Sequence, residues 1–322
     1  MKDIKAFYDN NLKAVIGSLE AEKVRTRNKL LMYIIVPAVV LLLIAVGYYF
    51  SSKNFVPAFL VLFFSLTAYH FISKKITKPY EDKFKTSVIS RLVKFVDEDL
   101  DYEHHNYIRE SAFRESRLYD HRIDKYEGED YISGKIGKTQ IEFSEVLAKY
   151  KKRDKDDKTE WHTLFDGLFF TADFNKEFKS DLILKPDIAE RLFGGFGQKL
   201  QSINVFQHGE LVKLENPEFE KAFKVVGTDQ TEARYILTPA LMEKILKLNN
   251  EIMTKEKSMI SMSFINSKIY LALPLNRDLF EPSIFGKKVV KEEDIIEYYH
   301  YIKLMAGIVE DLDLNTRIWT KK

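Results

Sequence analysis

The sequence predicts an α+β membrane protein: an N-terminal transmembrane helical hairpin with a helical stalk, then a cytoplasmic domain of antiparallel β-meanders and helices. Three observations carry that expectation. Two apolar runs without a single Asp, Glu, Lys or Arg, residues 30–50 and 55–72, are separated only by Ser51-Ser52-Lys53-Asn54. Apolar residues at helical spacing continue on either side of the pair. From Tyr131 onward, short stretches rich in Ile, Val, Phe and Tyr are broken by Gly, Asn and Pro, the punctuation of strands and turns.

The two runs have 21 and 18 residues, which as helices span roughly 31 and 27 Å, close to the hydrocarbon thickness of a bilayer. Lipid offers backbone N–H and C=O groups no partners, so each run must be a continuous helix. The short link then turns the second helix back against the first. A buried helix pair in a soluble protein fits poorly, because soluble core helices seldom run so long without a charge. A cleaved signal peptide fits worse, with 29 residues ahead of the first run and a second apolar run behind it. Tyr48, Tyr49 and Phe50 sit where interfacial aromatics are expected. Lys23, Arg25, Arg27 and Lys29 precede the first helix, Lys74, Lys75 and Lys78 follow the second, and the link carries only Lys53. Basic residues stay on the cytoplasmic side, so both termini are expected there.

The net charge of +2 hides an asymmetry. Residues 1–78 carry 11 Lys and Arg against 4 Asp and Glu, a balance of +7, which leaves 39 against 44 and a balance of −5 for the rest. A slightly acidic cytoplasmic portion is a poor nucleic-acid binder, since that affinity depends on neutralising phosphates. The lipid bilayer is the partner the composition implies; nucleic acid is not. With no cysteine in the chain, a reducing and an oxidising compartment fit equally well.

Before the hairpin, Ile4, Tyr8, Leu12, Val15 and Leu19 mark one face of a helix, and after it Phe84, Val88, Leu92 and Phe95 mark another. Together they predict a two-helix stalk; a helix lying flat on the membrane is disfavoured by Asp3, Asp9, Glu20 and Glu22. The expected segments are therefore 1–29, a cytoplasmic amphipathic helix; 30–72, the hairpin; 73–130, stalk and connector, with a helix over 106–118; and 131–322, the cytoplasmic α+β domain. Within that domain residues 132–136 and 140–146 form a hairpin about Gly137-Lys138-Thr139, 151–158 a solvated loop, and 160–173 a central strand. Strands follow at 182–184, 211–214 and 224–226, with a short helix at 187–193 stopped by Gly194-Gly-Phe-Gly197. Asp229 and Glu232 have capping-box spacing. Thr238 and Pro239 suit N-cap and N1 of a helix lined by Leu241, Ile245 and Leu248 before Asn249-Asn250. Residues 259–265 and 268–273 flank Asn266-Ser267 as a second hairpin, and 291–309 form a last helix.

Several of these runs carry a resemblance: Ile132-Ser-Gly-Lys-Ile-Gly-Lys-Thr, Ile-Glu-Phe-Ser-Glu-Val146, Phe165-Asp-Gly-Leu-Phe-Phe-Thr-Ala-Asp-Phe-Asn-Lys176, Thr228-Asp-Gln-Thr-Glu-Ala-Arg-Tyr-Ile-Leu-Thr-Pro239 and Phe280-Glu-Pro282. Over residues 131–285 the chain resembles the uncharacterised bacterial membrane family known as domain of unknown function thirty-one thirty-seven. The resemblance implies a protein of the bacterial inner (cytoplasmic) membrane and hints at a LemA-type membrane protein as partner. It implies no activity and no catalytic residues to carry over.

The residues themselves offer few chemical constellations. His104-His105, with Glu103 and His121 nearby, lacks metal-ligand spacing, because adjacent histidines point about 100° apart on a helix. No metal and no cofactor are expected. Gly194-Gly-Phe-Gly197 misses the spacings that cradle phosphates. Asp166, Asp173 and Lys176 cluster on the long strand and its exit, where turn chemistry is the commoner use of Asp-Phe-Asn-Lys and an acid–base pair the rarer one. Arg234, among apolar neighbours in Ala233-Arg-Tyr-Ile-Leu237, is expected to be partly buried and paired with Glu232, Asp229 or Glu281; gripping an anionic ligand is its alternative role. Asp166, Asp173, Lys176 and Arg234 are thus the candidate binding residues. The reading favoured is a non-enzymatic, membrane-anchored module that binds a protein or a small ligand. The alternatives are a membrane-bound hydrolase using the acids near Asp166 and Asp173, and a PH-like lipid-sensing domain.

Overall fold

In the computed structural model, residues 3–52, 56–153, 159–174, 177–187, 209–275, 277–312 and 314 are described. They fall into two compact units, Met1–Leu92 with Phe280–His300, and Val93–Leu279 with Tyr301–Lys322.

In the first unit a helix runs over Ile4–Ser51 (α1) and is long and apolar enough to cross a membrane. Asp3 starts it, accepting the amides of Lys5 and Ala6 at 2.9 and 3.2 Å as an N-cap does. A second helix, Val56–Phe84 (α2), packs against it. The buried positions in the first part of α1 are Leu12, Ile16, Leu19, Lys23, Thr26 and Leu30, one stripe at alternating steps of four and three. The sequence places Val15 on that stripe, whereas the structure buries Ile16. Leu12 and Leu19 are buried where the sequence places them, so the face keeps its phase, and Ile16, four positions after Leu12, takes the place of its neighbour Val15. Further along, Leu43 and Ile44 are 65 % and 64 % exposed and Phe50 is 68 % exposed. Residues 280–291 strap this unit: the Val289 amide donates to Glu20 Oε1 at 3.1 Å, Tyr80 Oη donates to the Ser283 carbonyl at 3.4 Å, and buried Lys85 meets Glu281 at 2.7 Å. Glu281, offered by the sequence as a partner for Arg234, therefore holds Lys85 instead.

The second unit is built on one sheet of nine antiparallel-paired strands, in the order β1-β2-β3-β4-β9-β8-β5-β7-β6. They are Leu100–Glu103 (β1), Lys125–Ile136 (β2), Thr139–Arg153 (β3), Thr159–Asp173 (β4), Leu182–Pro186 (β5), Glu210–Leu211 (β6), Phe223–Gly227 (β7), Ser261–Ile265 (β8) and Lys268–Pro274 (β9). The helices between them are Glu110–Glu115 (α3), Pro217–Ala222 (α4), Gln230–Ile236 (α5) and Pro239–Glu256 (α6), and Glu292–Asp311 (α7) comes last.

Both expected hairpins form. In the first, Ile136 pairs with Thr139, so the turn is Gly137-Lys138 alone, with Gly137 at φ 62°. Thr139, placed in that turn by the sequence, is a buried strand residue. In the second, Asn266 and Ser267 both take left-handed backbone (φ 52° and 58°) between Ile265 and Lys268, the geometry of a two-residue hairpin turn. β4 lies inside the sheet, as its apolar run requires. Gly167 is obligatory there: it has φ 149°, and a Cβ would sit 2.2 Å from the Leu273 carbonyl oxygen of β9.

Other boundaries move. Strand structure begins at Leu100, not Tyr131, and β2 begins at Lys125. Those residues are charged because their outer face is solvated, and pairing with β3 supplies what propensity lacks. The helix expected over 106–118 contracts to α3; Ser116 Oγ accepts the Leu118 amide and donates to the Phe113 carbonyl, and Arg117 takes φ 50°. β3 extends to Arg153 into the expected loop, and the strand at 211–214 reduces to Glu210–Leu211. α6 continues past Asn249-Asn250 because Asn249 is buried, where its side chain accepts the Ile260 amide at 3.3 Å. The helix expected at 187–193 lies outside the described residues.

Candidate functional site

The four residues singled out in the sequence do not converge. Asp166 and Asp173 are seven positions apart on β4, whose register against β9 is regular between them. An odd separation puts them on opposite faces, roughly 23 Å apart at strand rise. The acid–base pair needed for hydrolysis is therefore not formed by these two. Asp166 is exposed and Asp173 half-buried. Lys176 lies outside the described residues. Arg234, expected to be partly buried, is exposed, and its Nη2 donates to the Lys213 carbonyl at 3.4 Å. The buried stripe of α5 is Ala233 and Ile236, and Arg234 stands about 100° from Ala233. Asp229 caps α5, accepting the Thr231 and Glu232 amides at 2.7 and 2.9 Å. Glu232 does not complete the capping box. It accepts the amides of Lys179 and Ser180, at 3.0 and 2.6 Å. Burial pushes its carboxyl up, and hydrogen bonds to Ser180 and Lys179 outweigh that and hold it below the usual carboxylate range.

Among the described residues of this unit two charged side chains are buried, Asp130 and Lys185, and the sequence does not advertise Lys185. All five residues of β5 are buried, and Lys185 is only 4 % exposed. Its parity with Ile183 puts both on the face covered by α3 and the segment after it. Ile183 there joins Phe113, Leu118, Phe165, Phe169 and Tyr270 in one apolar cluster. The cluster is strongly aromatic: Phe113 stacks on Tyr119 at 5.2 Å and meets Phe169 at 4.9 Å. Lys185 Nζ donates to the Leu118 carbonyl and lies 4.8 Å from the centre of the Tyr119 ring.

The segment after α3 is thus held to the sheet at successive points. Ser263 on β8, level with Ile183 of β5, donates to the Ser116 carbonyl at 2.6 Å. Lys185 takes the Leu118 carbonyl, and between them Arg117 forms an ion pair with Asp181. Burial pulls the Lys185 ammonium down to about 7, while the Asp120 carboxylate pulls it back up. Burial also raises the Tyr119 phenol above its usual value. An amine poised near neutrality can exchange a proton with little driving force. Reaching it with a substrate, however, requires residues 116–120 to lift away. Parity places Lys185 on the face of Ile183, but the run Leu182-Ile-Leu184 reads as a short strand that ends before Lys185, and only its place between β7 and β8 buries the lysine.

A second polar group in this unit joins Arg277, Glu256 and Tyr301. Arg277 Nη2 is 3.2 Å from Glu256 Oε2 and donates to Tyr301 Oη at 2.6 Å. Burial is the main reason that the Tyr301 phenol is raised. These residues tie the end of α6 to the second half of α7.

Fold and site together define an α+β protein with an antiparallel sheet domain and an apolar N-terminal helix of membrane-spanning length. The resemblance read from the sequence is shown over part of the sheet domain and the last helix: residues 163–314 match the model of the family described as "Protein of unknown function (DUF3137)", and the runs at 132–139 and 141–146 lie before that match. A comparison with curated proteins returns no match. Among solved structures, the mycobacterial trehalose monomycolate transport factor A, TtfA, aligns with 72 % of this chain and 95 % of its own, at 9 % identity and a TM-score of 0.31. A likeness that distant carries no argument about this chain.

Proposed function

We propose that the protein is a membrane-anchored binding module. Residues 30–50 and 55–72 form a transmembrane hairpin in the bacterial inner membrane, both termini are cytoplasmic, and the sheet unit presents a binding surface to a protein or small ligand. One observation carries the anchoring: the long run of α1 in which Leu41, Leu43, Ile44 and Phe50 are half-exposed or more. A contiguous apolar surface of that kind is unstable in water and at home in hydrocarbon. The basic flanks, Lys23 to Lys29 and Lys74 to Lys78, supply the orientation. Binding is favoured over catalysis because Asp166 and Asp173 stand on opposite faces of β4 and Lys185 is sealed under Leu118 and Tyr119. A LemA-type membrane protein is the first partner to try. The test is a pair of fusions, alkaline phosphatase and green fluorescent protein, at each terminus of the full chain, followed by carbonate extraction of membranes. Fluorescent, phosphatase-silent fusions that stay in the carbonate pellet are expected at both ends. An active phosphatase at the C-terminus, or a chain released by carbonate, overturns the reading.

A further inference from the structure

The paired ends of β3 and β4 run on beyond their neighbours. β4 pairs with β9 only from Gly167 to Asp173, whereas its pairing with β3 continues out to Arg153 opposite Thr159. The two faces of this arm differ in chemistry. On one, Tyr150 is flanked by His121 and His162 at ring distances of 4.6 and 5.4 Å, and Lys152 stands opposite Glu160. On the other, Lys149, Lys151 and Arg153 alternate along β3, Lys125 of β2 pairs with Lys149, and Trp161 pairs with Lys151.

That second face is basic against the sign of its surroundings. Residues 79–322 carry a balance of −5, yet among the described residues of this face four cations stand with two carboxylates, Glu127, which is 2.8 Å from Lys125, and Asp166, opposite Leu147. Asp124, at the edge, accepts the Lys151 amide at 2.8 Å and lies 3.5 Å from Arg122. A surface shaped only by solubility mixes its signs. Trp161 is a large apolar ring left 51 % exposed, with Lys151 Nζ 4.7 Å from its centre. Tryptophan beside lysines on long stems is the combination that settles at a headgroup layer: the ring takes the interface and the ammonium groups take the phosphates.

We propose that this arm is a docking face for an anionic lipid surface, with Trp161 entering the headgroup layer and Lys125, Lys149, Lys151 and Arg153 meeting the phosphates. The inference rests on the membrane anchoring proposed above, which keeps the sheet unit within reach of a leaflet. Anionic leaflets attract juxtamembrane cations, and each one lost weakens that attraction roughly fivefold at physiological salt. An acidic protein segment is the competing occupant, disfavoured because it has no use for an exposed indole between the cations.

The full chain carrying Trp319→Phe, which leaves Trp161 as its sole tryptophan, should be reconstituted into nanodiscs of phosphatidylcholine alone or mixed with phosphatidylglycerol. Brominated acyl chains then report contact. The expected result is a blue shift and quenching of Trp161 only in the phosphatidylglycerol discs, abolished at about 1 M salt, where the Debye length is about 3 Å. Lys149→Glu with Lys151→Glu should abolish the response, and the milder Lys149→Gln with Lys151→Gln should weaken it if the reversal disturbs folding. Trp161 emission that is the same in both discs overturns the docking face and leaves the anchoring intact. A chain that fails to enter either disc removes the anchoring, and the inference with it. A shift produced by added polyglutamate but not by the lipid assigns the face to an acidic protein and overturns the lipid proposal.

Discussion

Replacing Lys185 with Met keeps the length of the stem and removes the ammonium, which isolates the cost of burying that charge. In the folded chain burial takes this lysine from 10.5 to about 7. At ~1.4 kcal/mol per pH unit, the charged form costs the folded state about 5 kcal/mol below pH 7 and nothing above pH 10.5. The unfolded chain binds the proton more tightly, so the lysine makes stability rise with pH across that window. Solvent screening offers no discount at 4 % exposure. The Leu118 carbonyl and the Tyr119 ring return part of the loss, each about 1 kcal/mol. Lys185→Met is therefore expected to stabilise the chain by roughly 3 kcal/mol at neutral pH, with the gain shrinking as pH rises toward 10. Urea midpoints of the full chain in detergent micelles, wild type and variant side by side from pH 6 upward, measure this directly. Parallel curves for the two proteins across the alkaline range, or a variant less stable at neutral pH, would refute the reasoning.

The remaining predictions concern two residues of the α5 region. Glu232→Ala should destabilise by roughly 1–3 kcal/mol at neutral pH, because the Lys179 and Ser180 amides lose their acceptor. Its carboxyl is held below the usual range, so its contribution is present above the unfolded pKa and lost as pH falls through the folded one. Denaturation midpoints of variant and wild type should accordingly converge in acid, and a gap that persists there contradicts the assignment. Arg234→Ala should cost less than about 1 kcal/mol, as expected for an exposed side chain. A loss of 3–5 kcal/mol in the same assay, the magnitude of a broken buried pair, would restore the buried ion pair that its apolar neighbours suggest.

Much of the architecture was legible where local chemistry and tertiary context agree. Thr238 and Pro239 open α6 as cap and first residue, the Thr238 hydroxyl accepting the Leu241 amide at 3.3 Å. Asn266-Ser267 turns its hairpin because both residues tolerate left-handed backbone. β1 and the first half of β2 were illegible for the opposite reason. Leu100-Asp-Tyr-Glu103 buries one leucine fully, and its strand character comes from pairing with residues 131–134. No local signal encodes a partner some thirty residues away. In the first unit, the apolar stripe is legible in both period and phase, with Leu12 and Leu19 buried as expected and one position, Val15, giving way to its neighbour Ile16.

Arg234 and Lys185, two cations of the sheet unit, show how burial departs from what neighbours in sequence suggest. Arg234 has apolar neighbours in sequence on both sides, which suggests burial if neighbours in sequence are neighbours in space. On a helix they are not: Ala233 and Ile236 point inward together, and the residue between them at 100° from Ala233 reaches solvent. Lys185 stands next to Pro186, at what reads as the exposed end of a strand. β5, however, lies between β8 and β7, and pairing runs through Pro186 to Phe223. β8 pairs β5 as far as Leu184 and β7 pairs it through Pro186, while the segment after α3 covers the face that Lys185 shares with Ile183, so that side chain is held inward. Its ammonium then takes the nearest acceptor, the Leu118 carbonyl. Burial in this fold is decided by phase on helices and by the order of strands in the sheet. The first can be counted along the chain, whereas the second exists only once the chain has folded.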